Sequence, residues 1–145
     1  IAEAFTHNVR AMSERFDEAA SGASHAVDRV LAMAAVALDL YRGEPIPGGC
    51  AIMNAAIESD DAHPFLKERA KLSMERFVAR VRGLLEQGQR DGEVDPSADV
   101  GEAALFIVSA LEGALMMSKL MDNDAAVKAA LSRIASLMNR ELRLP

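Results

Sequence analysis

Apolar side chains recur along this chain with helical spacing from end to end. Ile1, Phe5, Val9, Met12, Phe16 and Ala19 fall three or four residues apart, which places them on one face of an α-helix. They predict a first helix over 2–20, closed by Ser21-Gly22. A second helix is predicted over 24–41. Val27, Val30, Leu31, Ala34, Leu38 and Tyr41 make one side, and Met33, Val36, Ala37 and Leu40 fill much of the rest, so this helix should be central. Gly43, Pro45, Pro47 and Gly48 then mark a loop. A short helix follows over about 50–58. The acidic run Ser59-Asp60-Asp61 is expected to cap a long helix with Pro64 in its first turn, reaching about Gln87. Ala70, Met74, Phe77, Val81, Leu84 and Gly88 form its apolar stripe. No run alternates with period two. The fold class is therefore all-α, with about six helices.

The stretch from Val100 to Met121 is apolar on nearly every side and carries only Glu102, Glu112 and Lys119 as charges. Asp99 and Glu102 have the spacing of a capping box at its start. A helix without a polar face must be covered on more than one side. The chain is too short to wrap it fully, so a second copy is the expected cover. Asp122-Asn123 should break the apolar helix, and Asp124 should cap the last helix, which reaches about Leu142. Ala104, Ile107, Leu111, Ala114, Leu115 and Ser118 share one face of the apolar helix. Ala103, Phe106, Ala110, Gly113, Met117 and Met121 share another. The expected dimer interface joins the first of these faces to Val127, Leu131, Ile134 and Met138 of the last helix. Two such hairpins make a four-helix bundle across a two-fold axis. The Phe106 face is then expected to meet the core or a ligand. The apolar stretch approaches membrane length, but its three charges and Gly101 favour a buried helix of a soluble protein.

The chain has 145 residues and a net charge of −6, enough for one domain with a real core. The acidic balance argues against holding nucleic-acid phosphates unaided and against docking on an anionic membrane. One cysteine, Cys50, allows no internal disulfide and fits a reducing cytoplasm. The first twenty residues are studded with charge and do not read as a signal peptide. The chain opens at Ile1 inside an amphipathic pattern with no cap before it, so an upstream segment is expected to be absent.

No catalytic constellation is expected. There is no phosphate-cradling glycine loop and no H-E-x-x-H. His7, His25 and His63 lie on different segments, and Cys50 has no His or Cys at ligand spacing, so neither a metal centre nor a cofactor is expected. Asp60-Asp61 reads as a helix N-terminus, not an acid pair. Glu112 is the odd charge of an apolar helix. Its expected place is the rim, the alternative being a hydrogen bond to a ligand or a partner chain. Eight Met and five Phe with no Trp give adaptable apolar surfaces. Met12, Phe16, Met33, Met53, Met74, Phe77 and Phe106 lie on inward stripes, either as core or as the lining of a cavity. Asn54, Tyr41 and Ser109 are the polar groups that could orient a ligand there.

Pro47-Gly48-Gly49-Cys50-Ala51-Ile52-Met53-Asn54-Ala55-Ala56-Ile57-Glu58 resembles the G-C-x-x-x-N-x-x-x-E element of TetR-family transcriptional regulators. An acidic break and a long helix follow, as in that family. Leu84-Leu85-Glu86-Gln87-Gly88-Gln89-Arg90-Asp91-Gly92-Glu93-Val94 is similar to its A-x-x-x-G-E-L-type connection, and Leu111-Glu112-Gly113-Ala114 to its L-x-G. The resemblance covers the whole chain. It implies an effector-binding and dimerisation domain over 1–145, with 1–20 as the helix connecting to an N-terminal helix-turn-helix domain missing from this chain. It implies a ligand-responsive regulator and not an enzyme: a cytoplasmic homodimer, most simply a repressor, released from operator DNA by a small apolar or aromatic effector. Operator DNA would be reached only through the missing domain. By position, the effector cavity would take in Met12, Phe16, Met33, Tyr41, Met53, Asn54, Phe77, Val81, Phe106 and Ser109. The competing reading is a helical dimer that binds a lipid or hydrophobic small molecule with no role in transcription.

Overall fold

The computed structural model describes residues 2–59 and 63–145. The expectations placed on Ile1 and on the Asp60-Asp61 cap lie outside the described residues. Six helices are present: α1 (Ala2–Ser21), α2 (Ala26–Tyr41), α3 (Ala51–Glu58), α4 (Pro64–Arg90), α5 (Val100–Met121) and α6 (Ala125–Glu141). Extended pairing among the described residues is limited to one isolated antiparallel bridge, Val94 with Arg143. The all-α fold expected from the periodicity is therefore the fold observed.

α2 is the hub and packs against α1, α4, α5 and α6. Val27, Val30, Met33, Ala34, Val36, Ala37 and Leu40 are all buried there, which is why its sequence is apolar on more than one side. Its start is satisfied twice. His25 is the N-cap, and its Nδ1 accepts the Val27 amide at 3.1 Å. The Glu93 carboxylate accepts the Ala26 amide at 3.2 Å. Both bonds serve amides that a helix start leaves without a helical partner. Asp99 caps α5 by accepting the Glu102 amide at 2.9 Å, as the capping-box spacing predicts. Before α6 the expected cap differs in detail. Asn123 Oδ1 accepts the Ala125 amide at 3.0 Å, while Asp124 pairs with Lys128 at 3.1 Å.

α4 continues three residues beyond Gln87. Gly88 does not end it, because its role there is contact. A Cβ at Gly88 would stand 2.6 Å from both Ala26 Cβ and Val94 Cγ2. The turn falls instead to Gly92, at φ 75.

α5 is turned the opposite way from the expectation. Ala104, Ile107, Leu111, Ala114, Leu115 and Ser118 are buried inside one protomer. So are Val127, Ile134 and Met138 of α6, with Leu131 half-buried against the same core. These residues are the seam of the α5–α6 hairpin and its contacts to α2 and α4, and they are not free to meet a partner. Ser118 shows how closed the seam is, since its Oγ accepts the Val127 amide at 3.1 Å in the interior. The exposed face carries Leu105 (58%), Phe106 (49%), Met116 (49%), Met117 (48%), Leu120 (81%) and Met121 (59%). Gly113 lies among them, and a Cβ there would meet nothing within 4 Å. α5 has the length and hydropathy of a membrane span, but its Ile107 side is packed against protein.

Candidate ligand groove between α1, α3 and α4

A groove of about 370 Å³ opens where α1 leans on α3 and α4. The α1 stripe supplies Phe5, Val9, Met12 and Phe16, α3 supplies Ile52, and α4 supplies Phe77. Phe16 and Phe77 pack with ring centroids 4.6 Å apart at 41°, a tilted geometry that aromatic quadrupoles favour. Met12 reaches across to α3, where its Sδ accepts the Ala51 amide at 3.4 Å. The floor is therefore apolar and held by contacts from three helices.

The rim is polar and basic, with Thr6, Ser13 and Ser73 beside Arg10, Arg69, Arg76 and Arg80. Arg69, Arg76 and Arg80 follow one another at spacings of seven and four on α4, which keeps them on one helix face. Arg69 donates to Thr6 Oγ1 and lies 5.7 Å from the Phe5 ring centroid and 5.8 Å from that of Phe65, a cation–π arrangement. Arg80 donates to Ser13 Oγ at 3.2 Å. Asp17 Oδ1 pairs with Arg80 Nη2 at the edge of the groove. Partial burial pulls the Arg80 pKa below its ordinary value.

Away from the groove, Cys50 caps α3 and its Sγ accepts the Met53 amide at 3.5 Å. Burial, with the nearby Glu112 carboxyl, pushes the thiol pKa up to about 12. The thiol stays protonated at neutral pH and is a poor nucleophile. Glu112 does not reach the rim. Burial raises its carboxyl pKa, partly offset by the hydrogen bond to Cys50, and its Oε2 has no partner. Among the described residues no group of three His, Cys, Asp or Glu side chains has the geometry to hold a metal.

Of the expected cavity residues, the groove brings together Met12, Phe16 and Phe77. Met33 and Val81 are sealed in the core, at 1% and 2% exposure. Tyr41 and Met53 are half-buried against that core outside the groove. Asn54 turns back to donate to the Gly48 carbonyl at 2.7 Å. Phe106 and Ser109 are exposed on the outward face of α5. Phe106 belongs instead to a second cleft of about 490 Å³ between α5 and α6. The four arginines were not anticipated, although the spacing of three of them along α4 was the available signal.

The chain matches the family of tetracyclin repressor-like C-terminal domains over residues 26–134. It superposes on a TetR transcriptional regulator from Chloroflexus aurantiacus J-10-FL with a TM-score of 0.92 and 32% identity, covering 98% of this chain and 72% of that one. A TetR-family transcriptional regulator from Cytophaga hutchinsonii superposes with a TM-score of 0.85 at 20% identity, covering 98% and 70%. At that lower identity the second likeness speaks for the fold alone. Comparison with curated proteins gives no match. The chain belongs to the TetR family of transcriptional regulators, and its helices are those of the family's C-terminal domain.

Proposed function

We propose that this chain is the sensing and dimerising part of a cytoplasmic repressor that a small, largely apolar effector releases from operator DNA. The observation that carries the reading is the position of the groove. One of its walls is α1, the helix that would lead back to a DNA-binding domain. The effector, seated between α1 and α4, displaces α1 as a lever. In the dimer two DNA-binding domains must sit about one helical turn of DNA apart, ~34 Å, so a small displacement of α1 changes that spacing. By linkage, operator DNA then weakens effector binding by the same factor.

The homodimer forms through the outward face of α5, with Phe106, Met117 and Leu120, together with the neighbouring surface of α6. Scattered apolar residues on a surface are ordinary, but six large ones on one helix face mark a contact. The experiment is operator affinity of the protein carrying its DNA-binding domain, measured by fluorescence anisotropy with and without a saturating effector found by thermal shift. Weaker binding with effector supports the repressor. Equal affinity in the two states overturns the switch.

A further inference from the structure

The α1–α3–α4 groove, taken as the effector site proposed above, has a charge character at odds with the rest of the chain. Acidic side chains outnumber basic ones by 22 to 16. The groove nevertheless gathers Arg10, Arg69, Arg76 and Arg80, four of the twelve arginines in the sequence, and no carboxylate lines it. Among the described residues Arg10 and Arg76 make no ion pair. Arg69 is held by a neutral hydroxyl and two aromatic rings. Arg80 is paired with Asp17 and Ser13, which leaves Arg10 and Arg76 as the guanidiniums with neither an anionic nor an aromatic partner.

A guanidinium offers five N–H donors and no acceptor. It matches a carboxylate or a phosphate through paired hydrogen bonds. A neutral apolar guest would shield these groups from water and supply no partner, which is costly. A cationic guest would be repelled. Below the rim, Phe5, Met12, Phe16, Ile52 and Phe77 offer an apolar floor. Such pockets bind through burial of the apolar body and take orientation from a few polar groups. We propose that the effector is an amphiphile, with an apolar body on the Phe16–Phe77 floor and one anionic head, carboxylate or phosphate, held at the rim by Arg10 and Arg76. Arg69 and Arg80 stand on the same rim as further donors.

The test compares octanoate, octyl phosphate, 1-octanol and octylamine, with 4-phenylbutyrate as an aromatic carboxylate, by isothermal titration. The anionic probes should bind about tenfold or more tighter than octanol, the margin of a charge-assisted hydrogen bond, and octylamine should bind weakest. The stronger of octanoate and octyl phosphate identifies the head group, and either preference over octanol supports the proposal. The double variant Arg10→Gln, Arg76→Gln should remove that margin, and a circular dichroism spectrum and Tm like the parent's show that the variant is folded. Octanol binding as tightly as the anions, an unchanged margin in the double variant, or no binding by any probe would overturn the anionic effector. Ser73→Trp separates this from the location of the site. If that variant abolishes binding of all probes while octanol equals octanoate, the groove stands and the anionic head fails. If it leaves every affinity unchanged, the groove itself is not the site.

Discussion

Gly88 of α4 lies directly against Ala26 at the start of α2, so closely that a Cβ on Gly88 would stand 2.6 Å from the Cβ of Ala26. The crossing of these helices sets how deeply α4 seats on the central helix. Gly88→Ala should therefore destabilise the fold by about 1–3 kcal/mol through overpacking, even though alanine is the better helix former by about 1 kcal/mol. Urea unfolding measures it. An unchanged midpoint would show that the helices part without cost.

The orientation of α5 gives a paired prediction. Leu111 is buried within the protomer, and Leu120 is 81% exposed. Leu111→Arg should unfold the protein, because it places an unpaired charge in the core. Leu120→Arg should leave the helices intact and yield monomers. Circular dichroism and light scattering after gel filtration distinguish the two. A folded monomer from Leu111→Arg would restore the interface first expected from the sequence.

The raised pKa of Glu112 makes stability depend on pH. The folded state holds the carboxyl proton to higher pH than the unfolded chain does. Stability from this group is thus complete below the ordinary carboxylate range and falls as pH rises through the folded pKa. Cys50, with its thiol at about 12, does not titrate in that window. Glu112→Gln should flatten the decline, read as the pH dependence of Tm in the variant against the parent. Parallel curves would show that the carboxyl is ionised in the fold.

Glu93 and Arg143 tie the α4–α5 connection and the chain end to α2. Glu93→Ala removes the acceptor for the Ala26 amide and should cost about 1 kcal/mol, the usual size of a lost cap. Arg143→Ala breaks the pair with Asp28, which is partly exposed, and should cost less, roughly 0–1 kcal/mol. Thermal unfolding of the two variants orders them, and the reverse order would mean that the Asp28 pair is the stronger tie.

The six helices are legible because each carries an apolar stripe at helical spacing, and the ends agree within a few residues. The two faces of α5 were legible as faces. Their roles were not, because a helix apolar all round does not encode which side its own chain claims. That choice is made by α2, and by Ser118 closing on Val127. The central pair of the groove, Phe16 and Phe77, follows from the stripes of α1 and α4. The arginine rim was missed because basic side chains flanking a stripe read as solvated stems. Only the packing of α1 on α4 turns them towards one opening.

Arg69 and Arg80 line the groove while also holding α1 through Thr6 and Ser13. In the effector reading proposed above, ligand and helix would draw on the same two guanidiniums. On that reading, a molecule that draws these guanidiniums to itself would unfasten α1 in the act of binding. One that fills the floor without reaching them leaves α1 fastened, and would occupy the site as a silent antagonist. Affinity and potency should then diverge across a ligand series. A series in which operator release simply tracks occupancy would show that the two arginines are no fastening at all.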